Sequence, residues 1–196
     1  SKKSLIDESL TLLGAGSETV GNVVTTGVFH ILSNKQIRGK LIMELEQSWP
    51  NLSSRMSYQM LEKLPYLTAV IKESVRMAHG VVTPIPRVVG PEDALILGYV
   101  LPTGTVVSLG ITFIHENPSI FDAPGVFNPE RWLQPISKEI EGKYFVPFSK
   151  GPRMCLGLKC VNPNNINPSA HMFTFRKAWP GANFIFYSQT FSGKST

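Results

Sequence analysis

Apolar residues recur at helical spacing over the first thirty positions. Leu5, Leu12, Leu13, Val20, Val23, Val24, Val28, Ile31 and Leu32 predict one long helix from about Ser4 to Leu32. Gly14, Gly16, Gly21 and Gly27 lie inside it. Each glycine costs about 1 kcal/mol relative to alanine in a helix interior, so the pattern predicts a close backbone approach or a local opening there. A second helix starts at Ser33 or Asn34 as cap, carries Ile37, Leu41, Leu45 and Trp49 at four-residue spacing, and stops at Pro50. Residues 51–60 are polar and turn-rich, which predicts a loop with a short helical piece. Pro65 opens a third helix and Gly80 closes it, with Leu67, Val70, Ile71 and Val75 as its buried stripe.

Past Gly80 the pattern changes to strands. Val81-Val82, Arg87-Val88-Val89, Ala94 to Leu97 and Tyr99 to Leu101 read as extended, Pro102-Thr103-Gly104 as a turn, and Thr105 to Leu109 as the return strand. The fold class is therefore mainly α with a small β-sheet (α+β).

Composition narrows the class. A chain of 196 residues with 42% hydrophobic content can bury a core, in one domain or in two small ones. No apolar run reaches the roughly 18 residues needed to cross a bilayer, and the opening Ser1-Lys2-Lys3-Ser4 shows no signal-peptide pattern. Cys155 and Cys160 stand five positions apart, which argues for free thiols and a reducing compartment, not a disulfide staple. The net charge of +5 comes from scattered basic residues that never form a block, so nucleic acid is not the expected partner.

The candidate chemistry gathers at Phe148-Ser149-Lys150-Gly151-Pro152-Arg153-Met154-Cys155-Leu156-Gly157. A cysteine binds metal as the thiolate, which nearby positive charge favours, and Arg153 supplies such a charge. Gly151 and Gly157 let the backbone turn and approach a flat cofactor without a Cβ in the way. By residue type alone, a lone cysteine in a turn is more often a small buried hydrophobe. The pattern F-x-x-G-x-R-x-C-x-G is too constrained for that, and it resembles the haem-binding loop of the cytochrome P450 family.

Three upstream segments carry the same resemblance in the same order. Ala15-Gly16-Ser17-Glu18-Thr19 resembles the oxygen-activation segment of the long central P450 helix, although Val20 stands where a second hydroxyl is usual. Leu64-Pro65-Tyr66-Leu67 through Glu73-x-x-Arg76 resembles the helix before the sheet, and Phe127-Asn128-Pro129-Glu130-Arg131-Trp132-Leu133 resembles the P-E-R element. The P-E-R-W-L run and the cysteine loop are similar to fungal microsomal members.

The resemblance implies a partial P450 fold over residues 1–157, from the long central helix to the haem-binding loop. It implies haem b (iron protoporphyrin IX) with Cys155 as iron ligand, and Thr19 and Glu18 in oxygen activation. Phe148, Gly151, Gly157, Arg153, Arg87 and His115 would contact the cofactor, the last three of these as candidates for the propionates. His115, in Ile114-His115-Glu116-Asn117-Pro118, is expected as a hydrogen-bonded helix-start residue. Glu73, Arg76 and Arg131 would form a structural charge network. Val82, Pro84 and Ile85 would line a pocket for a lipophilic substrate.

The implied activity is a haem-thiolate monooxygenase acting on a small lipophilic substrate and dioxygen, with electrons from NADPH through NADPH-cytochrome P450 reductase. The full-length parent would sit at the endoplasmic reticulum membrane. Family members run to twice this length or more, so the chain reads as a C-terminal piece. After Gly157 the likeness stops: two prolines and four asparagines between Leu158 and Ser169 predict no stable helix. Residues 158–196 are therefore expected as an irregular or disordered tail, of the kind an altered reading frame or retained intron would produce. Two other readings stay open at this point, an inert fragment that at most binds haem weakly and a non-haem interaction module.

Overall fold

The computed structural model describes residues 1–50 and 57–157. The expected tail, Cys160 and most of the loop at 51–60 lie outside the described residues.

Helix α1 (Lys2–Ser33) is one continuous helix. Asn34 separates it from α2 (Lys35–Ser48) and serves both: its backbone N–H donates to the His30 carbonyl at 3.1 Å, and its side-chain oxygen accepts from the Gln36 and Ile37 N–H groups at 3.0 and 3.2 Å. The short α3 (Tyr58–Leu61) precedes α4 (Pro65–Ala78), where Pro65 takes the first helical position. Leu64 has no capping side chain, so Glu44 of α2 does the capping from outside. Its two carboxylate oxygens accept from the Tyr66 and Leu67 N–H groups at 2.7 and 2.8 Å.

Packing of α1, α2 and α4 makes the main core, with Ile31, Ile37, Leu41, Leu64, Leu67, Val70 and Phe127 buried together. Only the C-terminal half of α1 takes part. Residues 1–18 are all exposed, Leu5, Leu10, Leu12 and Leu13 among them. Of the four helix glycines, Gly27 alone meets the expected close approach: a Cβ there would come within 2.5 Å of Ser74 Oγ on α4. Gly14, Gly16 and Gly21 face open space, and the helix does not open around them.

Two features of α4 differ from expectation. Ile71 is exposed, and the buried face is instead Leu67, Val70, Glu73, Ser74 and Arg76, because it meets both α1 and the Pro129–Trp132 turn. The helix ends at His79, in the left-handed region at φ 46°, one residue before Gly80.

The β region also pairs differently. Val81-Val82 is not a strand. β2 (Ala94–Ile96) and β3 (Tyr99–Leu101) form a hairpin whose turn, Leu97 and Gly98, has φ 52° and 85°, the sign pattern of a tight type I′ turn. This removes Leu97 from the strand. β4 (Val106–Leu109) returns to β1 (Ile85–Val88) and not to β3, with Arg87 opposite Val107. Gly104, at φ 81°, turns the chain back so that its N–H donates to the Val89 carbonyl at 3.2 Å. The result is two two-stranded antiparallel sheets. They are followed by α5 (Ile111–His115), a 3₁₀ turn (Pro129–Trp132) and α6 (Ser137–Lys143).

Among the described residues no helix is long and apolar enough to cross a membrane.

Candidate functional site

Glu73 and Arg76 lie one helical turn apart on α4, and both are fully buried. Arg76 grips the carboxylate with two hydrogen bonds, Nε to Oε2 at 3.0 Å and Nη2 to Oε1 at 2.9 Å. Its remaining donors reach the carbonyls of His115 and Pro124, each at 2.8 Å. Arg131 joins from the 3₁₀ turn, with Nε 3.1 Å from Glu73 Oε1. Asn128 N–H at 3.0 Å and Trp132 Nε1 at 2.9 Å complete the carboxylate's five contacts. Burial alone would raise the Glu73 pKa; the bonds from Arg76, Asn128 and Arg131 outweigh it and hold the carboxyl below its usual range.

This cluster matches the three-residue network expected from sequence. Trp132 and Asn128 were missed as members. The signal was present, since both flank Arg131 in a turn short enough to present all three to one partner.

His115 is the last residue of α5, not a helix-start residue, and the structure puts it in the core at 0% exposure. Its ring lies nearly parallel to Phe145 and edge-on to Phe121, both at 5.8 Å. Nε2 accepts the Val146 N–H at 3.2 Å. Phe121 and Phe145 thus enclose this imidazole, the side chain that the resemblance implies near the propionates. Burial, and after it the Arg76 guanidinium, push its pKa down to about 4.

The cysteine loop begins where that core ends. Phe145 packs against Trp132 at 4.7 Å, Val146 is held by His115, and the Val146 carbonyl accepts from Ser149 N–H at 3.0 Å. Ser149 at φ 61° and Gly151 at φ 82° reverse the chain, and Cys155 N–H closes the loop on the Phe148 carbonyl at 2.9 Å. Lys150 ties the loop to the end of α6 through the Gly142 and Lys143 carbonyls. Cys155 is a free, exposed thiol, and Phe148, Arg153 and Gly157 of the same loop are exposed as well. A Cβ on Gly157 would lie 3.5 Å from the sulfur, in ordinary contact.

The other expected residues lie elsewhere. Glu18 is exposed on the unpacked half of α1, and Thr19 Oγ1 donates to the Ala15 carbonyl of its own helix at 2.8 Å. Arg87, half-buried on β1, donates to the Pro86 carbonyl at 2.9 Å. The structure thus joins Glu73, Arg76 and Arg131 directly, and links them to the cysteine loop through His115.

Residues 1–160 match the family model described as Cytochrome P450. This chain belongs to the cytochrome P450 family. Among curated fungal P450 relatives, cytochrome P450 monooxygenase macH of Penicillium terrestre is 43% identical over 159 residues, which covers 80% of this chain and 31% of the relative. Cytochrome P450 monooxygenase penB of Penicillium thymicola is 38% identical over 154 residues, 79% of this chain and 34% of the relative. N-acetyltryptophan 6-hydroxylase ivoC of Emericella nidulans is 39% identical over 155 residues, 77% of this chain and 30% of the relative. The chain spans about a third of the length of these P450 relatives.

The P450 family implies haem, and the donor set fits it. Among the described residues no group of three or more His, Cys, Asp or Glu could hold a metal ion on its own. One accessible thiol beside glycine-bearing backbone instead suits an iron whose other ligands come from a porphyrin.

Proposed function

We propose that this chain carries the thiolate side of a haem-thiolate monooxygenase that inserts one atom of dioxygen into a small lipophilic substrate. The observation that carries this reading is the exposed Cys155 thiol, presented by a loop closed through Cys155 N–H and the Phe148 carbonyl. Haem b, when bound, supplies dioxygen activation, with electrons delivered from NADPH by NADPH-cytochrome P450 reductase.

Each protein residue has a defined part. Cys155 Sγ would ligate the iron, and Gly151 and Gly157 would keep side chains away from the ring. Phe148 covers the sulfur side. Arg153 and Arg87 would neutralise the propionates. Glu18 would supply the carboxylate for proton delivery in oxygen activation, and Thr19, whose hydroxyl is bonded to the Ala15 carbonyl, would supply the hydroxyl. Val82, Pro84 and Ile85 form part of an apolar substrate wall. One relative is named as a hydroxylase of N-acetyltryptophan, which supports oxygen insertion into a small organic molecule. The reading extends to a full-length protein at the endoplasmic reticulum membrane.

A second reading concerns the 196 residues by themselves: a catalytically inert P450 fragment that at most binds haem weakly. The exposed apolar side chains of α1 favour it, since an oxygen-activation segment in open solvent encloses nothing. The chain mixed with haem, reduced and exposed to carbon monoxide, decides between the two. A thiolate-type Soret band that Cys155→Ala abolishes is the expected result for a competent site. Soluble, folded protein without that band overturns it and favours the inert fragment.

A further inference from the structure

We infer that His115 is a positioning residue for the cysteine loop, joining it to the buried Glu73–Arg76–Arg131 cluster by one hydrogen bond from each end of the histidine. Its carbonyl accepts from Arg76 Nη1 at 2.8 Å, and its Nε2 accepts from Val146 N–H at 3.2 Å. From Val146 the path to the thiol is short. The Val146 carbonyl takes the Ser149 N–H, Ser149 opens the positive-φ reversal, and the Phe148 carbonyl takes the Cys155 N–H.

The imidazole is an expensive choice for this place. A ring whose Nε2 accepts must carry its proton on Nδ1, and that atom is buried without a hydrogen-bond partner. A phenyl ring would fill the space between Phe121 and Phe145 without stranding a donor. What histidine adds over phenylalanine is the acceptor for Val146. Further along the loop, Lys150 makes a second hydrogen-bonded tie, to the Gly142 and Lys143 carbonyls at the end of α6.

The role in placing an iron ligand rests on the reading of Cys155 above; the mechanical link does not, and its test needs no haem. Amide hydrogen exchange is measured on the 196-residue chain and on His115→Phe and His115→Gln. In His115→Phe, the amides of Val146, Ser149 and Cys155 are expected to exchange about tenfold faster, with α4 amides around Arg76 unchanged. His115→Gln, which places an amide oxygen near the Nε2 position, is expected to restore most of the protection. Faster exchange at Val146 alone, or an equal loss throughout α4, overturns the proposal. If His115→Phe does not fold, the imidazole ¹⁵N shifts of the unaltered chain decide. A neutral ring protonated on Nδ1 supports the link, and one protonated on Nε2 rules it out.

Discussion

Glu73 and Arg76 form a two-point ion pair, with both side chains fully buried, around which three further donors converge on the same carboxylate. A buried pair of this kind adds little net stability compared with well-packed apolar residues, but removing one partner strands the other. Glu73→Ala leaves Arg76 and Arg131 as unpaired buried cations and is expected to cost about 3 to 5 kcal/mol. Urea unfolding followed by far-ultraviolet circular dichroism measures this, and a loss below about 1 kcal/mol would show that the cluster is not the keystone of the core.

Acid is expected to weaken the fold in two steps. His115 is held neutral in the fold, its pKa lowered from 6.5 to about 4 by burial and then by Arg76, with His79 and Glu73 also facing it. A lowered pKa means that the unfolded chain binds the proton first, so this contribution is complete above pH 6.5 and is lost as the pH falls toward 4. It amounts to about 3 kcal/mol. Glu73, also lowered, contributes stability above the unfolded carboxylate value of 4.5 that disappears in still stronger acid. Unfolding midpoints across this range should fall in both windows. His115→Phe should flatten the upper one except for a smaller slope from His30, whose imidazole burial also pushes down.

Glu44 caps a helix that is not its own. Glu44→Ala removes the acceptor for two N–H groups at the positive end of α4, where Leu64 offers none. The expected loss is about 1 to 2 kcal/mol, read as a lower thermal midpoint. Glu44→Gln, which keeps one acceptor oxygen without the charge, should recover part of it.

The helix glycines should divide by position. Gly27→Ala forces a methyl against the Ser74 hydroxyl, itself buried and bonded to the Val70 carbonyl at 2.7 Å, and should cost about 1 to 3 kcal/mol. Gly14→Ala and Gly21→Ala meet nothing and should each raise helix stability by about 0.5 to 1 kcal/mol. Circular dichroism melts of the three variants test the division; a destabilising Gly21→Ala would mean that α1 has a partner there in solution.

Much of the helical architecture was legible in the sequence because its signals are local. The run from Leu5 to Leu32 states its own period, Asn34 can satisfy both helix ends it touches, and Pro65 suits only a first turn. The Glu73, Arg76 and Arg131 partnership was legible through family motifs. Glu44 was not, because a carboxylate on one helix face announces nothing about a helix end more than twenty residues later. Nor was the pairing of β4 with β1, which Gly104 decides by turning the chain past its sequence neighbour.

The sequence by itself determined the family and the order of the helices, and singled out Cys155 as the candidate thiol, since these depend on residue type and on neighbours within a turn or two. Tertiary structure decided which faces those helices bury. It gave Ile71 to solvent and Glu73 to the core, chose Gly27 as the close contact, and enclosed His115 between Phe121 and Phe145. The physical reason is burial: whether a polar group is a surface ornament or a structural anchor depends on donors and rings that arrive from distant parts of the chain.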